Sequence, residues 1–271
     1  MVALIMVVFF FLLYFVFNLL LNLVSRHYSD KSERDKGLFL SYCVSLMHSV
    51  ASTFGSIYCM FFLCGEQKTF FNDDECREVV RYGHLWLCFF TAGYLFVDGV
   101  YLVTRIGLVK PLDTQTLIHH IVAIVNYWVA FWQQDFTVTA GCAFIFLEIS
   151  TIFVCIRFML TDFGYLGGTL IQNVNTMFLV FTFLFGRVCF QLYIVVIYAM
   201  PWLWNLYTEK EGVPVEYKFL LVEMQGALVV NIILNFMWSW LLIKKVYYII
   251  TLGSESDKGF ADNESVEKAK K

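Results

Sequence analysis

The sequence predicts an all-α membrane protein with about seven transmembrane helices. Of its 271 residues, 59% are hydrophobic and only 15% are charged, whereas a soluble domain has about 45–50% apolar and about 25% charged residues. The apolar residues also form long blocks with few charged side chains, each near the ~20 residues that a helix needs to cross a bilayer. Lipid rather than water is therefore expected to surround most of the chain.

The first block, residues 2–24, has no charged side chain, and Asn18 and Asn22 are its two polar residues. It lacks the basic start and the small-residue cleavage site that mark a removable signal peptide. We therefore predict that it is a first transmembrane helix that the mature protein keeps.

Six further blocks have the length and apolar character of a membrane span. The fourth and fifth of the seven predicted spans are separated only by the polar stretch "WQQDF", which predicts an antiparallel helical hairpin. The final segment, 251–271, is polar and charged, which predicts disorder. The six later spans are predicted at 38–64, 82–104, 116–134, 136–158, 169–200 and 218–243.

The distribution of Lys and Arg orients these spans. One set of loops, together with the carboxyl-terminal tail, carries thirteen Lys and Arg residues, and the opposite set carries five. Because cytosolic loops are enriched in Lys and Arg, the carboxyl terminus is predicted to lie in the cytosol and the amino terminus on the far side.

The eight cysteines do not form the framework of a disulfide-rich fold. Six of them lie inside apolar blocks, where a free Cys behaves as a small hydrophobic residue. Cys64 and Cys76 flank a short loop, and they would pair only if that loop lies in an oxidising compartment.

Several ionisable residues lie inside the predicted spans. Each costs on the order of 2.5–3.5 kcal/mol there, so each needs a partner or a role. Once the chain is oriented, His48, Asp98, the pair His119 and His120, and Glu148 lie in the same half of the membrane on four consecutive spans. We predict one polar pocket that opens toward the cytosol. Its further lining residues are predicted to be Tyr94, Gln115, Asn126, Thr151, Arg157, Asn173 and Asn235, whereas Arg187, Asn231 and Glu223 are assigned to helix packing or to the membrane interface.

The paired histidines suggest a specific chemistry. A neutral His beside a carboxylate acts as a general base or accepts an acyl group as a nucleophile. His119 and His120 point about 100° apart on a helix, so only one of them can face the centre of the pocket. A metal site is not expected, because a zinc ion would need both of these adjacent rings to converge. No basic, aromatic-rich patch indicates nucleic-acid binding.

Six stretches in order resemble the TLC-domain family, which contains ceramide synthases, translocon-associated membrane proteins and small lipid-regulating proteins. The resemblance covers about residues 36–250, which we take as the domain, with 1–24 as an extra helix. The stretches are "SLMHSVASTFGSIY", "GYLFVDGVYLV", "LIHHIVAI", "FLEISTIFVCIRFML", "FGRVCF" and "NFMWSWLLIKK".

The resemblance implies a barrel of six helices around a membrane-embedded pocket, with a peripheral amino-terminal helix. It also implies the endoplasmic reticulum as location, with the plasma membrane and the mitochondrial inner membrane as alternatives. Ceramide synthases carry further acidic residues before the glutamate that corresponds to Glu148. This chain has Ala140, Gly141 and Phe144 at those positions. Ceramide synthesis is therefore not expected, and the chain is placed in another branch of the family.

Three functions remain open at this stage. The first is a non-catalytic protein that binds lipid acyl chains and influences membrane lipid composition. The second is an acyl-CoA-dependent N- or O-acyltransferase, in which His119 or His120 acts and Asp98 or Glu148 orients it. The third is a structural or trafficking subunit with protein partners in a membrane complex. Membrane lipids are the expected partners, and no cofactor is expected beyond acyl-CoA as the candidate substrate.

Overall fold

The computed structural model describes residues 1–133, 136–162, 170–208 and 215–252, and these residues form helices joined by short connections. The predicted disordered tail, 251–271, lies outside the described residues except for its first two, which end the last helix. The helices are α1 (Val2–Val24), α2 (Arg26–Ser29), α3 (Glu33–Phe61), α4 (Asp74–Glu78), α5 (Tyr82–Tyr101), α6 (Pro111–Gln133), α7 (Phe136–Ile145), α8 (Ile149–Asp162), α9 (Leu170–Thr182), α10 (Gln191–Ile194), α11 (Met200–Thr208) and α12 (Val215–Leu252).

Several of these helices continue into one another through turns of different pitch. A 3₁₀ turn, Phe146–Glu148, joins α7 to α8, and a π-helical turn, Leu102–Ile106, extends α5. Two π-helical stretches, Phe183–Phe190 and Val195–Ala199, connect α9, α10 and α11 into one long rod. The chain therefore has fewer membrane-crossing rods than helical segments.

Six of the described helical rods are long and apolar enough to cross a membrane, which confirms an all-α protein with several spans. The fourth predicted span, 116–134, corresponds to α6. At 23 residues α6 is ~34 Å long and matches the thickness of a bilayer, but it is not among these six rods. The six are Val2–Val24, Glu33–Phe61, Tyr82–Ile106, Phe136–Leu160, Leu170–Leu206 and Gln225–Lys244.

Local sequence sets where two of these helices begin. The Ser32 hydroxyl accepts a hydrogen bond from the Asp35 amide at 3.1 Å and caps α3. Glu33 and Asp35 place negative charge in the first turn, where it interacts favourably with the helix dipole. Pro111 begins α6 at the position where its missing N–H is not needed.

Counted along the chain, the described residues form seven rods: α1, α3, α5, α6, α7 with α8, α9 to α11, and α12. The last six of these close into a ring, as the resemblance implied. Helix α3 contacts α5, α5 contacts α6, and α6 contacts α12. Helix α12 then contacts the π-helical stretch Phe183–Phe190, this stretch contacts α8, and α8 returns to α3. The α7 half of the fifth rod packs against α3, α5 and α6, so it fills one end of the ring.

Helix α1 packs outside this ring, against α5 and α3. Its buried residues, Met6, Phe10 and Tyr14, follow each other at four-residue intervals and so form one stripe. The stripe lies very close to α5 at Gly93, where an added Cβ would lie 2.8 Å from the Met6 Cβ. Glycine therefore sets how closely these two helices approach.

The connection between α3 and α5 is held by a disulfide between Cys64 and Cys76, whose Cα atoms lie 5.6 Å apart. The sequence left this pairing open. Within the same connection, the Phe70 amide donates to the Met60 carbonyl at 2.8 Å, and Arg77 Nη1 donates to the Phe70 carbonyl at 2.9 Å. These bonds fold the loop onto the end of the barrel that the charge distribution predicts to face away from the cytosol.

Candidate functional site

The Asp98 carboxyl group lies where four helices meet. One of its oxygens, Oδ1, accepts hydrogen bonds from Tyr14 of α1 and from Ser41 of α3, the latter at 2.6 Å. The other oxygen, Oδ2, lies 3.6 Å from Nδ1 of His120 on α6. Asp98 itself is 3% exposed, so its interactions are with protein groups rather than with bulk water.

His48 is fully buried and lies against the same group of residues. Its ring stacks on the Tyr94 ring, with centroids 3.9 Å apart and planes inclined by 13°. Its Nε2 lies 2.8 Å from the Ser52 hydroxyl, one turn along α3. The Tyr94 ring also meets His120 edge-on at 6.2 Å, so it lies between two of the histidines.

Glu148 and Arg187 form a buried ion pair, in which Glu148 Oε1 lies 3.8 Å from Arg187 Nη2. The guanidinium also donates to Ser150 and to Thr151, both at 2.7 Å, and to Asn235 at 3.4 Å. These contacts join α8, the sixth rod and α12. A buried cation in a membrane helix needs such a set of partners to be tolerated.

Both members of this ion pair lie on turns that depart from α-helical geometry. Glu148 ends the 3₁₀ turn Phe146–Glu148, and Arg187 lies in the π-helical stretch Phe183–Phe190. Such turns change the direction in which a side chain leaves its rod, and π-helical turns occur often at functional sites.

Glu148 also connects the ion pair with the histidines. It interacts electrostatically with His48 and His119, and His120 interacts with both Asp98 and Glu148. The Ser49 hydroxyl donates to Glu148 Oε2 at 3.3 Å. The carboxyl groups of Asp98 and Glu148 thus interact with three histidines and one arginine. We call these six residues, together with Tyr94, the polar cluster: His48, Tyr94, Asp98, His119, His120, Glu148 and Arg187.

The two adjacent histidines face different partners, as their 100° separation on a helix predicts. His120 turns toward Asp98, whereas the His119 ring lies 5.5 Å from the Trp238 ring on α12. Trp238 Nε1 in turn donates to Gln115 Oε1 at 3.1 Å. His119 Nδ1 is buried and has no hydrogen-bond partner among the described residues.

An interior chamber of about 80 Å³ lies between α6, α7, α11 and α12, and none of the polar-cluster residues lines it. Asn126 lines it, and the buried Oδ1 of Asn126 has no hydrogen-bond partner among the described residues. Asn231 also lines it and accepts from Asn235 at 3.1 Å, which connects the chamber wall to Arg187. The lining residues are Ala123, Asn126, Tyr127, Ala130, Phe136, Thr137, Ala140, Gly141, Phe144, Ala199, Trp202, Leu203, Gln225, Leu228 and Asn231.

A second cavity, the outer groove, has a volume of about 220 Å³ and lies between α1, α5 and α6. Apolar and aromatic side chains line it, among them Val7, Ala92, Phe96 and Trp128. Neither cavity has a residue of the polar cluster in its lining. The interior chamber differs in that its lining residue Asn231 hydrogen-bonds to Asn235, a partner of Arg187.

Two predicted pocket residues lie elsewhere. Arg157 donates to Thr176, and nine residues of helix place it about 13 Å along the rod from Glu148. Asn173 is exposed on the outer surface. The neighbouring Asn175 is the buried one, and its Nδ2 donates to the Phe153 carbonyl at 3.0 Å. The other predicted residues, Gln115, Asn126, Thr151 and Asn235, border the cluster or the chamber.

Sequence reasoning assigned Arg187 to packing and gave Tyr14 and Gln191 no role, but these residues contact the site. Gln191 Oε1 accepts from Asn235 at 2.8 Å. The signal for Arg187 was present, because an arginine deep in a span requires a buried acceptor and Glu148 lies at similar depth. Tyr14 had no such signal, because a tyrosine within an apolar helix is common.

Within the described residues, no group of three or more His, Cys, Asp or Glu side chains is arranged to hold a metal ion. A model of the TLC domain matches residues 38–244, which is more than half of the chain. The match includes every residue of the polar cluster, and it begins after α1. Among curated proteins, the comparison finds no match to this chain.

Proposed function

This chain belongs to the TLC-domain family of integral membrane proteins, and from this premise we propose that it holds a lipid acyl chain inside its barrel and influences membrane lipid composition. The observation that carries the proposal is the interior chamber, whose wall is linked to Arg187 of the polar cluster through Asn231 and Asn235. An apolar chamber suits a hydrocarbon chain, and a buried polar group next to it suits the ester, amide or thioester at the end of that chain.

The size of the chamber suggests how much of a lipid enters. Its volume of about 80 Å³ is well below the ~300–1,000 Å³ of a pocket that encloses a drug-sized ligand. The chamber would therefore take part of one chain, and the rest of the lipid would remain in the bilayer. The unpaired Asn126 Oδ1 in its wall is an acceptor for a hydroxyl or amide group of the ligand.

The paired charges favour binding over rapid chemistry. Glu148 already faces Arg187, and Asp98 already accepts two hydrogen bonds. Groups with satisfied partners hold a rigid polar surface. This surface can orient the polar end of a lipid without reacting with it.

Mass spectrometry of lipids that copurify with the intact protein tests the proposal. Ala123→Phe should fill the interior chamber and remove the bound lipid. Ala92→Phe is the matched control, because it adds the same ring to the outer groove and should leave the bound lipid in place. If both variants retain the lipid of the wild type, or if the wild type retains none, the proposal is wrong.

A second candidate function, acyl transfer from acyl-CoA, is favoured by the unpaired nitrogen of His119. A lone pair of the imidazole would attack the thioester carbonyl, the C–S bond would break, and the thiol would leave with a proton. An amine or hydroxyl acceptor would then take the acyl group and return its proton to the imidazole. An acyl mass on the peptide containing residues 116–128, absent in the His119→Ala/His120→Ala variant, is the expected result for this function.

We also propose that the carboxyl terminus lies in the cytosol and that the protein resides in the endoplasmic reticulum. The Lys and Arg distribution supports the orientation. The disulfide Cys64–Cys76 supports it as well, because disulfides persist in oxidising compartments such as the lumen of the endoplasmic reticulum. The third function, as a subunit of a membrane complex, would require protein partners that copurify whether or not His119 is present.

A further inference from the structure

We infer that Tyr14 of α1 is a positioning residue of the site: it holds Asp98 so that this carboxyl group fixes the protonated nitrogen of His120. Tyr14 lies outside the part of the chain that the TLC domain matches, which begins at residue 38. The inference rests on the proposed function, in which the polar cluster orients the polar end of a bound lipid. It makes α1, the helix outside the barrel, a component of the site.

The contacts of α1 with the cluster are specific. The Tyr14 hydroxyl donates to Asp98 Oδ1, and the Phe10 ring lies 6.1 Å from His48 and 5.6 Å from Tyr94, edge-on to both. Phe10 and Tyr14 are both buried, although α1 otherwise faces lipid along most of its length. Two consecutive turns of α1 therefore touch three members of the polar cluster.

The two carboxyl oxygens of Asp98 contact different residues. Tyr14 and Ser41 both donate to Oδ1, which fixes the rotation of the carboxyl group about its last bond. Oδ2 then faces His120 Nδ1 at 3.6 Å, which is beyond hydrogen-bonding distance, and this buried nitrogen has no hydrogen-bond partner among the described residues. Because Asp98 Oδ2 is an acceptor, it favours the form of His120 that carries its proton on Nδ1.

A fixed tautomer has a consequence for any ligand of His120. With the proton on Nδ1, Nε2 keeps its lone pair and can accept a proton or a hydrogen bond from the polar end of a lipid. Without the Tyr14 hydroxyl, the Asp98 carboxyl group gains rotational freedom, and the preference for one tautomer weakens.

Nitrogen NMR of the full-length protein with ¹⁵N-labelled histidine, in lipid nanodiscs, tests this inference. The His120 signals are identified by their loss in His120→Gln. Tyr14→Phe removes only the hydroxyl, and we expect the ratio of Nδ1-protonated to Nε2-protonated His120 to fall about fivefold. Ser41→Ala, which removes the second donor to Oδ1, should change the ratio in the same direction.

Tyr28→Phe is the matched control, because it also removes a tyrosine hydroxyl that holds α1. The Tyr28 hydroxyl donates to Asn18 Oδ1 of α1 at 2.9 Å and does not contact the polar cluster. It should leave the His120 signals unchanged. The inference is overturned if Tyr14→Phe leaves the ratio unchanged or if Tyr28→Phe changes it equally. Copurified lipid is measured on the same samples, so a wild type without lipid but with a Tyr14-dependent tautomer refutes only the proposed function.

Discussion

Glu148 Oε1 and Arg187 Nη2 lie 3.8 Å apart inside the barrel, and each residue lies on a turn that departs from α-helical geometry. The pair joins the fifth and sixth rods, and the bond from Arg187 to Asn235 extends the connection to α12. The buried guanidinium of Arg187 thus connects three of the six rods of the ring.

Removing both partners of this pair should cost less stability than the sum of the two single removals. Arg187→Met leaves the Glu148 charge buried and unpaired, and we expect a loss of about 3–5 kcal/mol in the free energy of unfolding. The double variant Glu148→Gln/Arg187→Met should lose less than the sum of the two single variants. Thermal unfolding in detergent, followed by tryptophan fluorescence, measures the difference.

Arg105→Met is the control for this experiment, because Arg105 is exposed near the end of the third rod. It should shift the stability by no more than about 0.5 kcal/mol. Strictly additive losses in the double variant would show that the two charges do not interact.

Gly93 should be sensitive even to alanine. The added methyl group would lie 2.8 Å from the Met6 Cβ and 3.1 Å from its carbonyl carbon, so α1 must move away from α5. We expect a loss of about 1–3 kcal/mol in the free energy of unfolding, together with the same change in the His120 tautomer that Tyr14→Phe produces.

Gly99→Ala, on the same helix, provides the comparison. Its Cβ would meet Leu117 Cδ1 at 3.6 Å and His120 Nδ1 at 4.0 Å, both ordinary van der Waals distances. Alanine should therefore be neutral there, or stabilising by up to about 1 kcal/mol through its higher helix propensity. Equal effects at the two glycines would contradict the close approach of α1 at Gly93.

Two asparagines of α9 should respond differently to leucine. Asn175→Leu removes the hydrogen bond to the Phe153 carbonyl that links α9 to α8, and we expect a loss of about 0.6–1.7 kcal/mol. Asn173→Leu replaces an exposed side chain and should change stability by no more than about 0.5 kcal/mol. Thermal unfolding measures both losses. A larger loss for Asn173→Leu than for Asn175→Leu would show that Asn173 is the residue that faces inward.

Glycosylation can test the orientation. Gln67→Asn creates the acceptor sequence Asn-Lys-Thr in the disulfide-bonded loop, at an exposed position whose φ of +63° an asparagine tolerates. The tail contains a native acceptor sequence, Asn263-Glu264-Ser265. In microsomes we expect a glycan on the Gln67→Asn variant and none on Asn263.

Thiol labelling provides the second measurement of orientation. Cys64 and Cys76 should react with maleimide only after reduction, because the bond between them persists in an oxidising compartment. A glycan at Asn263, or free thiols at Cys64 and Cys76 in protein from intact membranes, would reverse the proposed orientation.

The fold was predictable because its signals are local. A run of apolar residues with the length of a bilayer identifies a membrane helix wherever it packs, and six rods were found where such runs occur. Helix α6, which carries the paired histidines, is not among these six. Asn173 and Asn175 show the limit of this reasoning, since residues two apart point about 200° apart, and only packing decides which one faces inward.

The sequence by itself determined that the chain is an all-α membrane protein of this family, and it marked the ionisable residues that needed an explanation. Tertiary structure alone decided their partners: Asp98 with His120, Glu148 with Arg187, and Tyr14 of the outer helix with Asp98. The reason is physical. Helical periodicity fixes directions within one rod, whereas contacts between rods depend on their order around the ring, their rotation and their depth, which result from packing the whole chain.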